Sequence, residues 1–196
     1  MGKLICVMGK SASGKDTIFK KLTADPELAL QIVVPYTTRP PRAEEKDGVE
    51  YHFTDEAGFQ AFKMAGKVIE DRAYHTIEGL WRYFTADDGQ IELAKGNFIL
   101  IGTLEAYQQM RKFFGPENLM PIYVEVEDGL RLSRALERER KQKKPKYAEM
   151  CRRFLADCED FSEDKILACE IGKRYANIEL ESCLAEIKED IVKMAG

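Results

Sequence analysis

The apolar residues of this 196-residue chain form short runs that alternate with segments of helical periodicity. The first run, Lys3 to Met8, is rich in Ile and Val and ends at a glycine-rich segment, which predicts a short buried strand. A helix is predicted to follow from Lys15 to Thr23, because Ile18, Phe19 and Leu22 lie on one side of it. The order of strand, loop and helix is the one that a phosphate-binding loop requires.

Later segments continue the alternation. "NFILIG" (97–102) and "MPIYVEVE" (120–127) are predicted strands, each followed by a helix-like segment, and "RYANIE" (174–179) favours another strand. Near the end, apolar residues recur every three or four positions and predict an amphipathic terminal helix; they are Leu180, Leu184, Ile187 and Ile191. The pattern predicts an α/β fold, with a parallel sheet flanked by helices and right-handed crossovers.

Residues 35–88 differ from this pattern. "TTRPPRAEEKDGVEYHF" is rich in proline, glycine and charge, so we expect it to be irregular or a short hairpin outside the sheet. We interpret 35–88 as a subdomain inserted into one domain, whose core comprises 1–34, 89–130 and 154–196, with 131–153 as a separate basic segment.

Composition narrows the class of protein. With 44% hydrophobic and 33% charged residues, the chain is typical of a soluble globular protein. No apolar run is long enough to cross a bilayer, and no signal-type segment precedes the first strand, so we expect a cytoplasmic protein that binds no membrane. The five cysteines lack a CxxC pair, which favours reduced, packed thiols over disulfides or a zinc site.

Charge is unevenly placed along the chain. The net charge of −4 argues against nucleic-acid binding. The segment from Arg131 to Arg153 nevertheless carries about +7, and the remainder of the chain about −11. We therefore expect this basic segment to meet an anionic ligand.

The segment from Gly9 to Lys15 matches the pattern G-x-x-x-x-G-K, in which backbone N–H groups and a helix N-terminus cradle phosphates and the lysine reaches the β- and γ-phosphates. The alternative is a chance glycine-rich turn, which the flanking strand and helix disfavour. The predicted ATP-binding residues of the loop are Gly9, Lys10, Ser11, Ala12, Ser13, Gly14, Lys15, Asp16 and Thr17.

Asp16 stands where such loops carry a hydroxyl that binds Mg²⁺. A carboxylate about 6 Å from a phosphate charge is repelled by about 3 kcal/mol at an effective dielectric constant near 20. Mg²⁺ would supply the missing counter-charge. Either Asp16 binds Mg²⁺ directly or through water, or it turns outward and Thr17 replaces the hydroxyl.

"TTRPPR" places Arg39 and Arg42 around a proline pair, which stiffens the backbone and presents two guanidinium forks. Two such forks suit one phosphate group. A surface loop with solvated arginines is the alternative.

The phosphate loop, "TTRPPR" with "DGVEYHF", "GKVIEDR" and "RYFT" closely resemble the guanylate kinase family, in the same order and at similar spacing. The resemblance implies Mg²⁺-dependent phosphoryl transfer from ATP to GMP. It also implies that the acceptor phosphate is held by Arg39, Arg42, Tyr51 and Tyr83, and the base by Glu70 and Thr85. A carboxylate suits the N1–H and 2-amino donors of guanine, and a buried, unpaired one would reject the wrong base. An exposed acid is the alternative for Glu70.

Arg131, Arg134 and Arg138 recur on one face of a predicted helix, and the segment beyond them resembles the mobile lid of the family. The resemblance implies that Arg134, Arg138 and Arg153 close over the phosphates, with Arg140 and Arg152 as near-register alternatives. With Lys15, Arg39 and Arg42 they form the expected catalytic set. A solvated pair of basic helices is the alternative. By the same resemblance, Asn177 meets the adenine of ATP.

The sequence also departs from the family. Ile101 and Thr103 replace acidic residues, Pro35 replaces a base-reading hydroxyl, and "YHTIEGLWRYFT" is longer than its counterpart. The carboxylate of Asp16 could compensate for the acidic residue near the metal that Ile101 and Thr103 do not supply. GMP and ATP are the expected partners of a monomer or homodimer. Two alternative functions are also compatible with the sequence. One is a kinase for another nucleotide or small phosphorylated acceptor, and the other is a catalytically silent protein-binding module.

Overall fold

The structure, a computed structural model, describes residues 1–42, 44–76 and 79–195. Its larger sheet has five strands in the order β2-β7-β1-β8-β9, and all neighbouring strands run parallel. The predicted parallel α/β fold is therefore confirmed. The strands of this sheet are β1 (Leu4–Met8), β2 (Gln31–Ile32), β7 (Phe98–Ile101), β8 (Leu119–Glu125) and β9 (Arg174–Ala176).

Helices cover both faces of this sheet, which is why the central strand is apolar throughout and fully buried. Alternate residues of β1 point to opposite faces. Leu4, Cys6 and Met8 pack in one core cluster, while Ile5 and Val7 pack in the other. The helices are α1 (Lys15–Thr23), α2 (Glu56–Met64), α3 (Leu104–Phe114), α4 (Asp128–Arg140), α5 (Tyr147–Asp160), α6 (Glu163–Ala168) and α7 (Leu180–Ala195).

The strongest periodic patterns correspond to observed elements. Helix α1 has the bounds that its pattern predicts, and the predicted strands are present with ends shifted by one to three residues. In α7, Leu184, Ile187 and Ile191 are buried and Leu180 is partly buried against the same cluster. The terminal helix is thus confirmed as a core element.

A second sheet lies entirely between residues 36 and 86, in the order β4-β3-β6-β5. The described residues of 37–53 are mostly irregular, as expected, with strand only at Thr37 and at His52–Phe53. The sequence analysis did not predict the long antiparallel ladder of β5 and β6, which runs from Val68 opposite Ala86 to Thr76 opposite Gly79. Ile77, Glu78 and Ala43 lie outside the described residues. The strands are β3 (Tyr36–Thr37), β4 (His52–Phe53), β5 (Val68–Thr76) and β6 (Gly79–Ala86).

This second sheet has its own small core. Phe59 on α2 packs against Phe84 at a ring distance of 5.0 Å, and Ala86 completes the buried cluster. One face of the hairpin is therefore anchored, and the residues of its other face can line a site. Within the described part of the chain, no helix is long and apolar enough to span a membrane.

Candidate functional site

The phosphate loop joins β1 to α1 at the carboxyl edge of the parallel sheet, where ligands bind in open α/β folds. Gly14 precedes α1 with φ of 87°, and a Cβ there would lie 2.3 Å from Nδ2 of Asn177. Gly9 has φ of 152°, and a Cβ there would lie 2.5 Å from the Val124 carbonyl oxygen. Both positions therefore require glycine.

Lys15 and Asp16 lie at the start of α1. Nζ of Lys15 is 3.5 Å from Oδ2 of Asp16, and the Asp16 side chain is 71% exposed. Thr17 is also exposed. Because an exposed pair at this distance is weak, an incoming phosphate can displace it. The carboxylate of Asp16 is accessible to a cation.

Helices α4 and α5 brace the loop from its other side. The Ser11 N–H donates to Oδ2 of Asp157 over 2.7 Å, and Nη1 of Arg131 donates to the same oxygen over 3.2 Å. Arg131 is 1% exposed and also donates to Oδ1 of Asp128, through Nε at 3.1 Å and Nη2 at 2.9 Å. This bracing network of Ser11, Arg131, Asp128 and Asp157 was not predicted, since Ser11, Arg131 and Asp157 are far apart in sequence.

Lys10 extends the bracing network, because its Nζ lies 3.3 Å from Oδ1 of Asp128. Burial alone would raise the pKa of Asp128, but hydrogen bonds from Arg131 and Lys10 outweigh it and lower that pKa. Asp128 therefore stays ionised and holds two cations beside the loop.

The expected lid arginines lie in different places. Arg138 and Arg153 line one small cleft together with Ser11 of the loop. Nη2 of Arg134 instead donates to the carbonyls of Asn177 and Ile178, at 3.0 and 3.2 Å.

The two near-register alternatives differ as well. Arg152 is paired with Glu149 through two hydrogen bonds of 2.8 Å and lines a separate, larger cavity. Arg140 is exposed at the end of α4. Of the five candidates, the structure brings Arg138 and Arg153 to the loop.

Asn177 lies behind the loop rather than in an open pocket. It is 3% exposed, and its Nδ2 donates to the Ser13 carbonyl over 2.7 Å. Among the described residues, Oδ1 of Asn177 and Oγ of Ser13 are buried without a hydrogen-bond partner. This placement favours a bracing role and does not support the adenine contact that the resemblance implied.

A cavity of about 770 Å³ opens between the β5–β6 hairpin and the first turn of α5. It contains both tyrosines of the expected acceptor site, together with further aromatic and cationic side chains. Its lining includes Tyr51, Arg72, Tyr74, Trp81, Tyr83 and Arg152. We call this space the acceptor cavity.

Glu70 lies behind the acceptor cavity, and its side chain has no exposed surface. Its Oε1 accepts hydrogen bonds from Oγ1 of Thr85 at 2.9 Å and Nη2 of Arg72 at 3.2 Å, and its Oε2 accepts from Nε of Arg72 at 3.0 Å. The alternative of an exposed acid is therefore wrong, and the buried carboxylate is already paired with Arg72. A buried carboxylate needs a counter-charge. Arg72 supplies it, because residues two apart on a strand share a face.

Arg39 is also enclosed, at 4% exposure. Its Nη2 donates to both oxygens of Glu45 at 2.8 and 2.9 Å, its Nη1 to the Pro40 carbonyl, and its Nε to the Tyr83 hydroxyl at 3.1 Å. The prediction that this segment presents two guanidinium forks to a phosphate is wrong for Arg39, because the Glu45 carboxylate is bound to its guanidinium. Arg42 is exposed.

The positions that depart from the family have structural roles. Oγ1 of Thr103 accepts the Ala106 N–H at 3.2 Å and caps α3. The Pro35 carbonyl accepts the His52 N–H at 2.9 Å and helps to align β3 with β4. Ile101 packs against the core cluster that contains α1 and α7.

No group of three His, Cys, Asp or Glu residues suited to a metal occurs within the described ranges. The donors beside the loop are the Asp16 carboxylate and the Thr17 hydroxyl. Both are oxygen ligands, and Mg²⁺ is usually held by one or two carboxylates together with substrate phosphates and water. The residues present therefore fit Mg²⁺ that arrives with a nucleotide.

Comparison with known proteins agrees with this geometry. A family model described as guanylate kinase matches residues 1–77. The guanylate kinase of Aromatoleum aromaticum is 36% identical over 140 residues, which cover 66% of this chain and 64% of that protein. The chain thus spans slightly less than two thirds of that relative. The guanylate kinase of Porphyromonas gingivalis is 23% identical over 98% of both chains.

Among solved structures, a guanylate kinase from Anaplasma phagocytophilum superposes with a TM-score of 0.64. The two sequences are 20% identical, and the match covers 99% of this chain and 86% of that one. This likeness shows that the two chains share a fold.

Proposed function

We propose that this chain is a member of the guanylate kinase family and transfers the γ-phosphoryl group of ATP to GMP, giving ADP and GDP. One observation carries the proposal: consecutive arginines of α5 face two neighbouring sites. Arg153 lines the cleft beside the phosphate loop, and Arg152 lines the acceptor cavity. A donor site and an acceptor site that adjoin in this way suit in-line transfer between two nucleotides.

In this proposal the phosphate loop holds the donor. Lys15 leaves Asp16 and contacts the β- and γ-phosphates, while backbone N–H groups and the α1 N-terminus add positive potential. Arg138 and Arg153 stabilise the charge on the transferred group. Arg134 holds the segment around Asn177 against the back of the loop.

The acceptor phosphate is proposed to lie against Tyr51 and Tyr83, with exposed Arg42 closing over it. Because the Tyr83 oxygen accepts the Nε–H of Arg39, the Tyr83 O–H can donate to the phosphate. Arg39 thus acts as a positioning residue through Tyr83. A phosphate monoester is largely ionised near neutral pH, so no general base is needed to generate the nucleophile.

Asp16 and Thr17 are proposed to supply oxygen ligands for Mg²⁺. A bound Mg²⁺ ion would neutralise negative charge on the β- and γ-phosphates. The reaction is proposed to take place in the cytoplasm.

One observation favours a second candidate, a kinase for a different phosphorylated acceptor. The carboxylate expected to read guanine is already paired with Arg72. The phosphate loop is intact, which disfavours a catalytically silent binding module.

The test is a coupled assay of ADP release with ATP, Mg²⁺ and each of GMP, dGMP, AMP, CMP and UMP, with Lys15→Met as the inactive control. The proposal expects the highest kcat/KM with GMP or dGMP. Turnover confined to AMP, CMP or UMP would support the second candidate. Absence of turnover with every acceptor would overturn both kinase proposals and favour the binding module.

A further inference from the structure

We propose that Arg72, held in place by Glu70, determines which base the acceptor cavity takes. Its guanidinium would recognise the acceptor atoms O6 and N7 of guanine, instead of Glu70 recognising the donors N1–H and 2-amino. This inference rests on the proposed function and specifies how the acceptor of that reaction is selected.

The hairpin orders the residues of this face by depth. Glu70 lies opposite Thr85, Arg72 opposite Tyr83, and Tyr74 opposite Trp81. Successive pairs are two residues apart, so all share one face and are separated by about 7 Å along the strands. Glu70 and Thr85 are buried and do not line the cavity, whereas both residues of the other two pairs do. An entering base therefore meets Arg72 before Glu70.

Glu70 has little capacity left for a ligand. A carboxylate offers about four acceptor sites, and three hydrogen bonds from Arg72 and Thr85 occupy them in part. Recognition of N1–H and the 2-amino group would require Arg72 to leave. That movement would break a buried ion pair and leave a guanidinium of 13% exposure without its partner.

Arg72, in contrast, keeps a usable edge. A guanidinium has five N–H groups, and the pairing with Glu70 uses Nε–H and one hydrogen of Nη2. The remaining hydrogens on Nη1 and Nη2 form a fork of the kind that binds O6 and N7 of guanine. Arg72 also makes a side-chain hydrogen bond to Tyr74, which an entering base would replace. Adenine presents N7 beside the 6-amino donor, which would face an N–H of this fork.

The cavity walls suit a base as well. Tyr74 and Tyr83 meet edge to face at 5.7 Å, and Tyr51 and Tyr83 at 5.6 Å. Tyr74 is 44% exposed and lies beside the partly buried Trp81, so aromatic surface is available for stacking. A guanidinium that is held by a carboxylate and flanked by aromatic rings can fix a planar base in one orientation.

Three acceptors separate the two modes of recognition. IMP lacks the 2-amino group but keeps O6 and N7, whereas 7-deaza-GMP keeps the donor edge but lacks the N7 acceptor. With ATP and Mg²⁺, we expect the kcat/KM of IMP to lie within about threefold of GMP, and that of 7-deaza-GMP to fall by about 10- to 100-fold. If kcat/KM fell for IMP but was retained for 7-deaza-GMP, base recognition would be assigned to Glu70 and the inference would be overturned.

Arg72→Lys keeps the charge beside Glu70 but removes the fork. We expect it to lower kcat/KM for GMP to about the value for 7-deaza-GMP, with KM for ATP unchanged. Arg82→Lys, on the paired strand and bound to Glu56 and Asp71, is the matched control. The thermal midpoint of each variant verifies folding. If Arg72→Lys lowered kcat/KM equally for GMP, IMP and 7-deaza-GMP, Arg72 would be assigned to the acceptor phosphate and the inference would be overturned.

Calorimetric binding of the same three nucleotides separates this inference from the proposed function. If no acceptor is turned over, the proposed function fails. Tighter binding of GMP and IMP than of 7-deaza-GMP would still support recognition by Arg72. Equal affinities, or no binding of any of them, would overturn it.

Discussion

The carboxylate of Asp157 on α5 accepts a hydrogen bond of 2.7 Å from the backbone N–H of Ser11 in the phosphate loop. The buried guanidinium of Arg131 binds the same carboxylate and lies 4.1 Å from the ring of Phe154. Helix α5 is therefore joined to the phosphate loop through its second half, while its first turn borders the acceptor cavity. The arrangement couples the position of the loop to that of α5.

Replacement of Asp157 tests this coupling. Asp157→Asn should lower the free energy of unfolding by about 1–3 kcal/mol, because Arg131 loses one of its two charged partners in a buried position. Urea titration measures the change, and Glu159→Gln, an exposed acid on the same helix, is the control. Equal stability of the two variants would show that the network around Arg131 does not depend on Asp157.

Lys15 should contribute to phosphoryl transfer rather than to folding. Lys15→Met is expected to lower kcat by about 10²–10³-fold, since a positioned cation facing developing charge is lost. The KM for GMP should change little, because the acceptor cavity is separate. Lys20→Met, exposed on the same helix, should leave the kinetics unchanged. Unchanged kcat in Lys15→Met would place the donor phosphates elsewhere.

Asp16 is the residue by which the loop departs most from the usual pattern. If its carboxylate binds Mg²⁺, Asp16→Ser should alter the Mg²⁺ concentration at half-maximal turnover by several-fold, and Asp16→Asn should raise it. Glu27→Gln, an exposed acid beyond the opposite end of α1, should leave it unchanged. An identical Mg²⁺ dependence in Asp16→Ser would exclude Asp16 as a metal ligand and favour the Thr17 hydroxyl.

Glu45 should make stability depend on pH. Burial alone would raise its pKa, but hydrogen bonds from the Arg42 N–H and the Arg39 guanidinium lower it below the ordinary value of 4.5. Stability from this carboxylate is therefore fully present above the unfolded-state pKa and is lost as pH falls through the lower folded-state pKa. Unfolding measured between about pH 6 and about pH 3 should show a smaller acid-induced loss in Glu45→Gln than in the wild type. The same dependence of the free energy of unfolding on pH in Glu45→Gln and in the wild type would contradict this role of Glu45.

Long periodic segments were predictable because burial on one face leaves a repeating pattern. The bounds of α1 and the apolar stripe of α7 follow from such patterns. The second sheet was not predictable in this way, since β3 and β4 have two residues each and their pairing is set by distant strands. Turn-forming residues between them obscured the sheet.

The sequence predicted several of the residues that lie at the site, but only some of the contacts between them. Sequence identified Lys15, Tyr51 and Tyr83, which the structure places at the loop and the acceptor cavity. It missed the pairing of Glu70 with Arg72, although opposite charges two residues apart on a strand were a usable signal. Asp157 and Arg131 offered no such signal, because a helix end and a connecting segment separate them.

The most direct test of the account follows the phosphoryl group itself. The protein is incubated with ATP labelled in the γ-phosphate, Mg²⁺ and GMP, and the products are separated by chromatography. The account predicts label in GDP, formed in equal amount to ADP, with labelled inorganic phosphate no higher than in Lys15→Met. Label released as inorganic phosphate without labelled GDP, or label that stays in ATP, would contradict it.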